Sequence, residues 1–265
     1  MSRIVERFTN LKAQDEGALV CFVTAGDPDI ETTRQIILQL EKSGADIVEI
    51  GIPFSDPIAD GASIQAASMR ALEQGVNVSA VLDLVRKIRS NSQLPIVLMT
   101  YYNPIIQYGV ERFAADAASA GVDGVIITDL TPEESDLWKT EADKAGINTI
   151  FLLAPTSADY RIAVVAGLTT GFVYCVSRTG VTGAQSEMGH GVLDLVSRIR
   201  TVTNKPIAVG FGISKPEHVK EVCGYADGAV VGSKLVDCIA ANSGEPGLLG
   251  EVDRLVSALK SGTKR

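Results

Sequence analysis

The chain has 265 residues, 46% hydrophobic and 21% charged, with a net charge of -8. That length suits one large domain or two small ones, and the composition is that of a well-packed globular protein. The negative balance argues against a nucleic-acid interface, which needs clustered Lys and Arg, and no run reaches the roughly 18 apolar residues of a membrane span.

The first seven residues, Met1–Arg7, lack the apolar core of a secretory leader. This predicts a cytoplasmic protein, or a plastid one in mature form if the source is a plant. Cys21, Cys175, Cys223 and Cys238 show no CxxC spacing, and only two histidines occur, His190 and His218. Reduced, packed thiols and no metal are the expectation.

In chain order, a helix is expected over Ile4–Gln14, followed by a strand at Ala18–Thr24 and a helix at Asp29–Ser43. A strand at Asp46–Ile50 precedes an inserted helix at Ser63–Glu73 and a further helix at Val78–Ser90. Strand–helix pairs then follow at Pro95–Thr100 with Val110–Ala120, Gly124–Thr128 with Glu133–Ala145, and Asn148–Leu153 with Ala158–Ala166. The last three are Phe172–Val176 with Val192–Thr203, Pro206–Gly210 with Pro216–Cys223, and Gly228–Val231 with two helices, Lys234–Ala241 and Leu248–Lys260. Gly44, Gly121 and Gly146 stand just past helices, where a left-handed residue ends the turn. Asp27-Pro28 and Thr131-Pro132 read as helix starts.

No Pro/Gly/Ser linker divides the chain, so one domain is expected over residues 1–265. Eight alternating units imply a parallel sheet and predict an α/β fold, the closed (β/α)8 TIM barrel, with an extra N-terminal helix and inserted helices after strands 2 and 8. The rival, a doubly wound open sheet, calls for a Gly-rich turn after the first strand. Ala25-Gly26-Asp27-Pro28 is not that turn.

Glu49 breaks an apolar strand, Asp46-Ile47-Val48-Glu49-Ile50. A strand buried on both faces should be continuously hydrophobic, and burying an unpaired carboxylate costs several kcal/mol or forces protonation. At the C-terminal end of a barrel strand it would face the active mouth with a raised proton affinity. The alternative is a structural ion pair, but no Lys or Arg lies in any of the eight strands. Asp56 and Asp60 follow on the next loop, and each taken singly reads as a turn former or helix cap. Asp60 gains weight from Glu49, because two carboxylates in different environments divide acid and base work.

Strand 7 runs into Gly210-Phe211-Gly212-Ile213-Ser214 and strand 8 into Gly232-Ser233-Lys234. Gly212, Gly232 and Ser233 at a helix start fit the phosphate site that barrels often build from these two loops. The long Gly-rich stretch Ser177–Gly191 has the character of a lid or of a disordered loop. Tyr174, two residues before a strand end, reads either as core filling or as a site residue.

Glu49-Ile50-Gly51-Ile52-Pro53-Phe54-Ser55-Asp56-Pro57-Ile58-Ala59-Asp60-Gly61 resembles the signature segment of the tryptophan synthase α-subunit family. The resemblance continues in Tyr101-Tyr102-Asn103-Pro104, Ser177-Arg178-Thr179-Gly180-Val181-Thr182-Gly183 and Gly210-Phe211-Gly212-Ile213-Ser214. It implies a lyase, the retro-aldol cleavage of indole-3-glycerol phosphate to indole and glyceraldehyde 3-phosphate. It implies no cofactor in this chain and a β-subunit partner, in an αββα complex, that carries pyridoxal phosphate. Glu49 matches the general acid/base and Asp60 the acceptor of the indole N–H. Gly183, Gly212, Gly232 and Ser233 match the phosphate cradle, and Phe22, Met99, Tyr174 and Phe211 the indole pocket. Arg178 and Thr182 fall on the lid, with Thr182 matching the residue that positions Asp60. Pro53 and Asp56 match the partner-facing surface. Other readings are a stand-alone lyase releasing free indole, a catalytically weak allosteric subunit, and a phosphate-barrel isomerase.

Overall fold

In a computed structural model, residues 2–176, 188–210 and 212–265 are described. Helix α1 (Arg3–Ala13) leads into β1 (Ala18–Thr24), α2 (Ile30–Lys42) and β2 (Ile47–Gly51). After the inserted α3 (Ala62–Glu73) come α4 (Val78–Arg89), β3 (Ile96–Thr100), α5 (Tyr102–Tyr108), α6 (Val110–Ala120) and β4 (Gly124–Ile127). Next are α7 (Asp136–Ala145), the short strands β5 (Asn148–Ile150) and β6 (Leu152–Leu153), α8 (Asp159–Leu168) and β7 (Val173–Val176). The chain finishes with α9 (Met188–Arg200), β8 (Ile207–Gly210), α10 (Pro216–Cys223), β9 (Gly228–Val231), α11 (Ser233–Ala241) and α12 (Leu248–Lys260).

All neighbouring strands are parallel, in the order β5-β4-β3-β2-β1-β9-β8-β7-β6. The sheet's two end strands are consecutive pieces of one expected strand, separated only by Phe151. Phe151 still accepts a hydrogen bond from the Tyr174 amide at 3.2 Å. The fifth strand pairs with β4 through its first half and with β7 through its second, which brings the ring round to a barrel. Nine segments are therefore found where the sequence suggested eight, and the barrel stands.

Period-2 alternation sorts the strand side chains. Ala18, Val20, Ile47, Val97, Ile126, Ile150, Phe172, Ala208 and Val230 fill the barrel interior. Their odd–even partners, such as Leu19, Val48, Leu98 and Val209, pack outward against the helices. Helix α1 repeats apolar residues at Ile4, Phe8 and Leu11, one face of a helix, and these close the N-terminal end of the barrel. Chemistry is left to the opposite end.

Three aspartates that stand just before strands have a shared structural task. Asp46 Oδ2 accepts from the Leu19 amide at 2.8 Å, Asp123 Oδ2 from the Ile96 amide at 2.8 Å, and Asp227 Oδ2 from the Ile207 amide at 2.8 Å. In each case the carboxylate precedes one strand and ties off the start of a neighbouring one. Each is also neutralised: Asp46 by Lys260, Asp123 by Arg89 and Arg3, Asp227 by Arg200. The glycine before two of them, at Gly44 and Gly121, has φ of 100° and 94°, which a side chain resists.

Three local expectations change. Asp29, not Asp27, caps α2, its carboxylate accepting from the Thr32 amide at 2.8 Å. Asp27 instead receives two hydrogen bonds from Arg70 of α3, at 2.7 and 2.8 Å. Helix α5 had no counterpart among the expected elements; Pro104 falls in its first turn, where a missing amide costs nothing. Helix α9 starts at Met188, four residues before the expected Val192.

Candidate active site

Glu49 is the third residue of β2 and lies opposite Phe22 of β1 and Val97 of β3. Ile47, two residues earlier, is an interior residue, so the same parity turns Glu49 into the barrel at its C-terminal end. It is 1% exposed, and its Oε1 has no hydrogen-bond partner among the described residues. Burial therefore pushes its carboxyl up to about 8. No ion pair to Glu49 occurs among the described residues.

Asp60 arrives on the loop from Ile52 to Gly61. Its amide donates to Pro57 O at 3.0 Å, and its own carbonyl accepts from Gln65 Nε2 at 2.8 Å. Burial raises its carboxyl to about 6, while a hydrogen bond from Tyr101 works in the other direction. Neither Asp56 nor Asp60 caps the following helix; the N-cap of α3 is Gly61. Asp56 is exposed, with Ser55 donating to it at 2.5 Å, and Pro53 is buried at the root of the loop.

Tyr174 feels the charge of both acids. It lies between interior and mouth, with its ring 6.4 Å from Phe172 and its hydroxyl against Gly210. Its proton is held far more tightly than an ordinary phenol's, by burial first, then by the negative charge of Glu49 and, more weakly, of Asp60. Its ring packs on the interior residues of the barrel.

The apolar wall is made by Phe22, Ala67 and Val236, with Ile64 and Met99 packed on it. Ile64, Ala67 and Val236 carried no sequence assignment, although spacing three apart on α3 was available as a signal. Gly232 adjoins this wall: a Cβ there would meet Phe22 at 3.8 Å and Ile64 at 3.9 Å. It is also the N-cap of α11, whose first residue is Ser233, and the helix start has no side-chain cap among the described residues. The free N–H groups and the helix dipole there suit an anion. Gly212 is exposed, has φ of 77° and has open space beside it. Phe211, Arg178, Thr182 and Gly183 lie outside the described residues.

The signal most clearly missed was Tyr101. It continues the inward parity of Val97 and Met99 one step beyond β3, is 3% exposed, and accepts from the Ala59 amide at 2.9 Å.

Among the described residues, no helix is long and apolar enough to cross a membrane. The family described as Tryptophan synthase alpha chain matches residues 8–263. A tryptophan synthase alpha chain from Geotalea uraniireducens (strain Rf4) is 52% identical over 264 residues, covering 100% of this chain and 98% of the relative. That of Geobacter sulfurreducens is also 52% identical over 264 residues, with 98% of each chain covered. Among solved structures, the tryptophan synthase subunit alpha of Legionella pneumophila str. Paris superposes with a TM-score of 0.91 at 37% identity, covering 99% of this chain and 98% of that one. A chain of Mycobacterium tuberculosis tryptophan synthase superposes with a TM-score of 0.91 at 36% identity, covering 100% of this chain and 99% of the other. The two acids at the barrel mouth thus sit in a chain that belongs to the tryptophan synthase alpha chain family.

Proposed function

We propose that this lyase cleaves indole-3-glycerol phosphate through Glu49 and Asp60, acting as a single-domain, cofactor-free subunit of the cytoplasm. The observation that carries the reading is the separation of the two acids: Glu49 near 8 and Asp60 near 6. At neutral pH the first is mostly protonated and the second mostly ionised, the division that acid–base catalysis needs.

Protonated Glu49 gives its proton to C3 of the indole ring. The positive charge delocalises onto the ring nitrogen, whose N–H is held by the Asp60 carboxylate. The bond from C3 to the glycerol chain then breaks, and its electron pair restores the aromatic ring. The carbon left behind becomes an aldehyde as its hydroxyl proton passes to the Glu49 carboxylate. Glu49 ends protonated, as it began, and protons and electrons balance. The wall of Phe22, Met99 and Tyr174 excludes water from the ring, with Phe211 as a further member of that pocket. Gly212, Gly232 and Ser233 hold the phosphate, joined by Gly183. Thr182 and Arg178 belong to the lid.

A β subunit carrying pyridoxal phosphate is the proposed consumer of indole, in an αββα complex. Ile58 and Ile106 support this reading, being 86% and 51% exposed on segments that follow β2 and β3. With the exposed Asp56 they support an apolar and acidic docking face beside the site, whereas Pro53 is buried beneath it. The test is turnover of indole-3-glycerol phosphate by the isolated chain, then with increasing β subunit. Indole release that rises on titration supports the reading. No indole release under either condition overturns the lyase role, and full activity untouched by the partner overturns the complex.

A further inference from the structure

Helix α3 starts just after Asp60 and brings Ile64 and Ala67 to the apolar wall, yet little apolar surface holds it in place. Its buried residues are Ala67, Ser68 and Ala71. Helix α4, also of 12 residues, buries Val81, Leu82, Val85 and Ile88 among others. Apolar anchoring scales with the area removed from water, so packing fixes α3 far less firmly than its neighbour. Its small side chains also form no tall ridge to set its rotation.

Two polar ties supply what packing does not. In the first turn, Gln65 Nε2 donates to the Asp60 carbonyl at 2.8 Å. Further along the helix, Arg70 Nε and Nη2 donate to the two carboxylate oxygens of Asp27, at 2.7 and 2.8 Å. Asp27 is 4% exposed and has no other ion-pair partner among the described residues. It stands on the loop that leaves β1, the strand that sets Phe22 opposite Glu49. Loop and helix run close together there: a Cβ on Gly26 would meet the Cβ of Ala71 at 3.4 Å. A planar guanidinium forked onto a carboxylate fixes direction as well as distance, which the point charge of a lysine does not.

We propose that Asp27 and Arg70 are positioning residues for the cleavage reaction: their fork sets the rotation of α3 against β1, and with it the aim of Ile64 and Ala67 at the indole ring and the seat of the Asp60 loop. Ala67 and Arg70 stand i,i+3 on the helix, so a rotation that breaks the fork moves the wall as well. The same rotation pulls on Asp60 through Gly61 and Gln65. This rests on the reading of that wall as the indole pocket.

The test is steady-state cleavage of indole-3-glycerol phosphate by the full chain, with glycerol 3-phosphate as a competitive inhibitor and thermal melts alongside. Arg70→Lys keeps the charge and loses the fork, whereas Asp27→Asn keeps the shape and loses the charge. Each should lower kcat/KM by roughly tenfold, while the Ki of glycerol 3-phosphate changes by less than about threefold. The double variant should be no worse than the poorer single one, because both act through one fork. Asp123→Ala, which breaks a buried pair at the opposite end of the barrel, is the reference for stability lost without activity. Variants of Arg70 and Asp27 that melt lower, as Asp123→Ala does, but keep kcat/KM within about twofold of the parent overturn the inference. Either variant decides this if the other fails to fold. Ile64→Ala separates the two layers. A raised KM in Ile64→Ala beside unaltered Arg70→Lys and Asp27→Asn overturns this inference alone. An unaltered KM in Ile64→Ala, or a parent chain without turnover, overturns the indole pocket and this inference with it.

Discussion

Phe22 and Gly51 meet across neighbouring strands so closely that a Cβ on Gly51 would lie 2.7 Å from Phe22 Cζ. Gly51 follows Glu49 by two residues on the same face, so its missing side chain leaves room for the ring that walls the site. Gly51→Ala must push that ring into the mouth. Overpacking of this kind costs about 1–3 kcal/mol. The expected outcome is a rise in KM of roughly tenfold with the fold retained, measured by steady-state kinetics beside thermal melts; Phe22→Leu in the same chain should recover part of the loss.

The buried Glu49 gives the fold a pH dependence of defined sign. Its proton is held up to about 8, against 4.5 for the free side chain. Between those values the native state binds more protons than the unfolded one, so this group makes stability fall as pH rises, and above 8 its effect is constant. Glu49→Gln removes the effect along with the activity. Denaturant melts should show the variant equal to the parent near pH 4.5 and more stable by roughly 2–4 kcal/mol at pH 8. A gap that does not widen with pH would mean Glu49 is not buried in this way.

Catalysis should show the same two acids from the other side. Asp60 must be ionised and Glu49 protonated at the start of the cycle, so kcat/KM should be bell-shaped with limbs near 6 and 8. Asp60→Asn should abolish the lower limb and reduce the rate by about two orders of magnitude or more. A profile in which Asp60→Asn keeps the lower limb would reassign it to another group.

Far from the mouth, Asp123 joins three elements. It accepts from the Ile96 amide at 2.8 Å and from Arg89 at 2.5 Å, while Arg3 of α1 donates to its other oxygen at 2.9 Å. Asp123→Ala leaves a buried amide and a mostly buried guanidinium without their acceptor, a loss of about 3–5 kcal/mol. Urea unfolding should report that loss, and activity measured well below the midpoint should be nearly unchanged.

Much of this molecule is legible along the chain because strands and helices advertise themselves by period. Ala18–Thr24 and Gly228–Val231 were placed to the residue, and so were Val110–Ala120, Pro216–Cys223 and Leu248–Lys260. Glu49 stood out for the same reason: a charge in a period-2 apolar strand is a local contradiction that needs no neighbour to be seen. Helix α5 was not visible, because seven residues carry too little periodicity to separate a helix from a turn. Asp27 misled because Asp-Pro signals a helix start, while its bidentate tie to Arg70, 43 residues away, has no local signature.

The sequence by itself determined the order of the elements, the parallel sheet and the presence of one misplaced carboxylate, since each follows from side chains within a few residues of one another. Only the tertiary structure decided that Tyr101 takes the Ala59 amide next to Asp60, that Tyr174 feels both acids, and that Asp46, Asp123 and Asp227 pin the starts of neighbouring strands. Those relationships join residues tens of positions apart. Ring closure sets them, by bringing successive strand ends to one mouth and excluding water there, and no local pattern records which side chains will then meet.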